Sequence, residues 1–62
     1  MNILTHTQEF HLYATNREEW IAYSAQLWIH RMQGKTEAEK REAWAIIPES
    51  VRAELVRVKM AA

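Results

Sequence analysis

Apolar positions along this chain follow three regimes. Between Ile3 and Ala14 they alternate loosely, at Leu4, Phe10, Leu12 and Ala14. Between Trp20 and His30, in WIAYSAQLWIH, they almost close on themselves, with Ser24, Gln26 and His30 as the only polar residues and no formal charge. From Lys40 onward they recur at three and four residues, as on one stripe of a surface helix.

The third regime is the simplest. T-E-A-E at Thr36 matches a capping box with Glu39 at its third position, and Lys40 (through its stem), Ala43, Trp44 and Ile47 give an i, i+3, i+4, i+7 stripe. Pro48 ends that helix by its ring clash and opens the next one, whose inward stripe is Val51, Leu55 and Val58. In the middle regime, N-R-E-E at Asn16 resembles another capping box, and Gly34 supplies the left-handed residue that ends a helix. The first regime is ambiguous. Its alternation suits a strand, but a lone strand would have no sheet to join except in another copy. Phe10 and Ala14 are also four apart, and Thr7 is placed to cap a short helix.

The sequence therefore predicts an all-α fold. A three-helix domain over residues 16–62, with helices at 17–33, 36–47 and 49–60, follows an N-terminal arm or short helix over 1–15. At about 100° per residue, Ile21, Ala25, Trp28, Ile29 and Met32 gather on one side of the first long helix. Trp20, Tyr23 and Leu27 gather on the other, with His30 at its edge. A helix apolar on two sides is sandwiched between neighbours. The later helices cover the first side. The second needs the N-terminal arm, through Phe10, Leu12 and Tyr13, or another molecule.

Size sharpens that choice. A 62-residue chain sits where apolar burial and conformational entropy nearly cancel, and small folds of this kind rely on a staple. With no cysteine there is no disulfide or thiolate zinc site, which leaves tight helix packing or oligomerisation. Three Trp, two Tyr and one Phe in so short a chain favour a dimer, because aromatics anchor interfaces. The expected interface is Trp20, Tyr23 and Leu27, with His30 and Arg31 on its rim. Trp20→Ala or Leu27→Ala is then expected to weaken association and spare helix content.

Charge and chemistry narrow the function classes. Eight Lys and Arg balance eight Glu, so no long-range field draws nucleic acid or anionic membrane. MNILTHTQEF lacks the basic and apolar regions of a signal peptide, and no apolar run is long enough for a membrane span, so a cytoplasmic protein is expected. His6 and His11 are five apart, off the i, i+4 spacing of paired ligands, and no Asp is present, so no metal or cofactor is expected. The glutamates read as helix-dipole and i, i+3/i+4 partners, and Ser24 and Ser50 lack a glycine elbow, which points away from an enzyme and a small-molecule substrate.

A different class is open through the last two helices, whose break at Ile47-Pro48 could pass for a helix-turn-helix. Arg52, Arg57 and Lys59 would then meet nucleic acid, but Glu49 and Glu54 oppose them. The preferred expectation is a non-enzymatic protein–protein interaction module that pairs with itself and with a host or phage protein. From Arg17 onward, R-E-E-W, an Arg/Glu/Lys-rich turn and I-P-E-S-V-R-A-E-L resemble small uncharacterised proteins encoded in phages and prophages. That resemblance implies an accessory role as inhibitor, adaptor or regulator, and carries no functional residue with it.

Overall fold

Asn16 does two jobs at once. Its backbone N–H donates to the Leu12 carbonyl at 2.8 Å and closes one helix, while its side-chain oxygen accepts from the Glu19 N–H at 3.2 Å and opens the next. The computed structural model describes residues 3–61, with side chains through residue 59, and is all-helical. Its elements are α1 (His6–Thr15), α2 (Arg17–Met32), α3 (Glu37–Ile46) and α4 (Glu49–Ala61). Residues 1, 2 and 62, which the expected arm and domain include, lie outside the described residues.

Four helices stand where a three-helix domain preceded by an arm or short helix was expected, and the N-terminal segment takes the short-helix form. The N-terminal segment resolves as helix because its capping box begins at Thr5, not Thr7. The Thr5 hydroxyl accepts from the Gln8 N–H at 3.2 Å, and the Gln8 side chain accepts from the Thr5 N–H at 3.0 Å. A cap at Thr7 would put Phe10, which has no acceptor, at the position where Gln8 works. Among the described residues there is no strand, so the alternation of Leu4, Phe10, Leu12 and Ala14 is incidental.

The remaining boundaries follow their capping residues to within a residue of expectation. N-R-E-E makes only half a box: with the Asn16 N–H already spent on α1, the Glu19 carboxylate accepts from the Asn16 side-chain amide instead, at 3.0 Å. Thr36 and Glu39 make the full reciprocal box at 3.2 and 3.0 Å. Gly34 adopts φ +81 in the turn after α2, and the Lys35 N–H donates to the Met32 carbonyl at 3.1 Å. Ile47 is extended before Pro48 (φ −73, ψ 132), as proline requires of its predecessor. Pro48 caps α4 just ahead of Glu49, its carbonyl accepting from the Arg52 N–H at 2.9 Å.

The Thr36 box makes α3 acid-sensitive. Hydrogen bonds from the Thr36 backbone N–H and hydroxyl hold the Glu39 carboxyl below its ordinary 4.5. Arg57 likewise lowers that of Glu54 through a side-chain hydrogen bond. A carboxyl whose folded pKa is depressed stabilises the fold above its unfolded pKa, and that contribution fades as pH falls through the folded value. We therefore expect helix content to decline as pH drops below 4.5, and Glu39→Gln to flatten that decline; an unchanged acid limb in the variant would remove the box as its source.

α2 is the central element, packed on α4 at one side and on α1 at the other. Ala25, Ile47 and Val51, at 2% exposure or less, form the core, with Trp20, Trp28, Met32 and Leu55 half-buried against it. Ala25 has the small side chain that lets α4 approach closely. On the other side α1 is pinned more lightly: the Leu4 N–H donates to the Tyr23 hydroxyl at 3.1 Å, and Tyr13 meets Trp20 edge-on at 4.8 Å. The Arg17 guanidinium stacks over the Tyr13 ring at 3.7 Å. Neither α1 nor α3 has a buried residue of its own.

Candidate interaction surface

Trp20, Tyr23, Leu27, His30 and Arg31 do not form one open face. Leu27 is buried within the chain at 6% exposure, and Trp20 and Tyr23 are half-buried beneath α1. Trp20 also reaches the Ala25–Ile47–Val51 core, so the two sides drawn from the helical projection meet at its large ring. His30 and Arg31 are exposed, with the Arg31 guanidinium 5.6 Å from the Trp28 ring. The second apolar side of α2 is thus covered mainly from within, most completely at Leu27. What α1 leaves open is a shallow recess of ≈ 210 Å³ bounded by His6, Glu9, Phe10, Tyr13 and Trp20.

The larger unfilled space lies elsewhere. α3 is tied in at its ends, by the Gly34 turn and by Ile47, and packs sparsely elsewhere, leaving a gap toward α2 and α4. The gap is an open cleft of ≈ 670 Å³. Ile29 and Met32 of α2, Trp44 of α3, and Leu55, Val56 and Val58 of α4 form its walls. Glu37, Lys40, Arg41 and Lys59 contribute the charged groups around it. Ile29, Trp44 and Val56 are 37%, 36% and 46% exposed, far from the near-complete burial of Ile47 and Val51. An apolar recess with a polar surround is the surface feature most often used for binding.

The helical projection places Ile29 and Trp44 in the core stripes, so it does not foresee this cleft. Val56 is the signal it contains. At about 100° per residue, Val56 lies well off the Val51–Leu55–Val58 stripe, on the side where a solvent-facing helix ordinarily carries polar groups.

The three cations of the nucleic-acid alternative are not gathered into a free basic face. Arg57 is bonded through two nitrogens to the Glu54 carboxylate, with Nε donating at 2.9 Å. Arg52 is half-buried, its Nε shielded and without a hydrogen-bond partner, and Lys59 belongs to the cleft. Among the described residues no three His or Glu side chains converge as metal ligands, and no helix is long and apolar enough to cross a membrane.

No family model, curated protein or solved structure matches the chain.

Proposed function

We propose that the protein is a non-enzymatic interaction module, working in the cytoplasm as an accessory protein of the phage or prophage kind, and that it acts by docking apolar surface against another protein. The observation that carries this reading is surplus surface. A monomer of 7.4 kDa packed to ordinary density exposes about 4200 Å², and this chain exposes 4949 Å². The radius of gyration of 12.0 Å likewise exceeds the about 10.6 Å expected at this length. The difference is about 750 Å². Large apolar side chains are part of the exposed surface: Phe10 and Ile46 are each 73% exposed, besides those of the cleft.

The test is a scan with a photo-crosslinking amino acid at Phe10, Glu42 and Val56, irradiated in the cell that makes the protein. A discrete protein adduct at one apolar position, absent at Glu42 on the far side of α3, is the expected result. An adduct at twice the chain mass would make the partner a second copy. Only diffuse products, or equal products at every position, would overturn the reading.

A further inference from the structure

We propose that the cleft between α2, α3 and α4 receives an amphipathic helix of a partner protein, one with carboxylates beside its apolar stripe. This rests on the interaction-module reading and names the partner's chemistry. Two observations select it. The first is the shape and lining of the cleft: three helices form an open trough whose walls are aliphatic apart from Trp44, the arrangement in which a fourth helix lays its i, i+3, i+4 and i+7 anchors.

The second is charge. The chain as a whole is neutral, but the cleft is not: among the described residues Lys40, Arg41 and Lys59 surround it with Glu37 as the only acid, a local excess of two positive charges. Lys40 is 3.8 Å from Glu37 across an exposed i, i+3 pair, which binds it weakly. Among the described residues neither Arg41 nor Lys59 enters an ion pair. A second copy seated cleft to cleft about a two-fold axis would set this positive surround against its own image. An acidic helix meets the apolar walls and the cations together, and like-charge juxtaposition excludes basic competitors.

The experiment uses the full chain and two synthetic helices of about 16 residues. Both carry Leu at i, i+3, i+4 and i+7; one has Glu at the flanking positions and the other Lys. Titration at low salt, followed by the Trp44 indole resonance, is expected to show saturable binding of the Glu peptide, at least about tenfold tighter than the Lys peptide. Raising the salt should narrow the gap. The double variant Arg41→Glu, Lys59→Glu changes two exposed side chains and is expected to keep its circular dichroism while reversing the order of the peptides. Equal affinities, no binding of the Glu peptide, or an unreversed preference in a folded double variant would overturn the proposal. Crosslinking at Val56 that persists alongside any of these results leaves the interaction module standing and removes only the acidic helix.

Discussion

Trp20→Ala is expected to unfold the chain. Trp20 joins two packings: it lies against the Ala25–Ile47–Val51 core and meets Tyr13 of α1 edge-on at 4.8 Å. Truncating a packed tryptophan to alanine costs about 3–5 kcal/mol, and the aromatic pair adds about 0.5–1.5 kcal/mol beyond its area. A chain this short holds only about 3–5 kcal/mol in total, so the loss exhausts the margin. Far-ultraviolet circular dichroism at 25 °C should show most of the helix signal gone. Leu27→Ala, at a site 6% exposed, should lower the melting temperature in the same way. Phe10→Ala, at 73% exposure, should leave it nearly unchanged. This replaces the outcome expected from sequence, in which Trp20→Ala and Leu27→Ala weaken association and spare the helices. Should Trp20→Ala keep its helix content and lose only a partner, Trp20 would belong to an interface after all.

Why the sequence misplaces these residues is a matter of the third dimension. Local signals transfer well: Asn16, Gly34, Thr36 and Pro48 set helix ends within a residue, because capping and ring geometry act over one turn. The projection of α2 also identifies two apolar sides correctly. It cannot say what covers each, since that depends on whether Thr5 or Thr7 starts α1. With Thr5 as cap, residues 6–15 form a helix that packs on α2 with Tyr13 against Trp20, and the side that looked vacant is covered in part. The cleft is illegible for the complementary reason. Ile29, Met32, Trp44 and Leu55 obey helical periodicity as core residues do, and nothing in periodicity reveals that α3 stands too far off to bury them. Only Val56, off its stripe, departs from the pattern.

That distance makes Ile47 the residue on which α3 depends. α3 contributes no buried side chain from its own turns; Ile47, at its C-terminal cap and 2% exposed, is what fixes it to α2 and α4. Ile47→Ala removes this anchor at a cost of about 2–5 kcal/mol, enough to unfold much of the population. Ile47→Val is the more telling variant, since about 0.5–1.5 kcal/mol leaves the fold intact. Native-state hydrogen exchange on it should show the α3 amides accelerating more than those of α2 around Ala25, because α2 keeps its contacts with α4 through Val51. Trp44→Ala, at a site 36% exposed, should perturb α3 less than its size suggests, as its ring faces a space that no described side chain fills. If Ile47→Val instead accelerates every helix equally, α3 is cooperative with the core and its stand-off is a rigid feature of the fold. If α3 alone responds, the cleft has a movable wall, tethered by one side chain, that can close on what enters it.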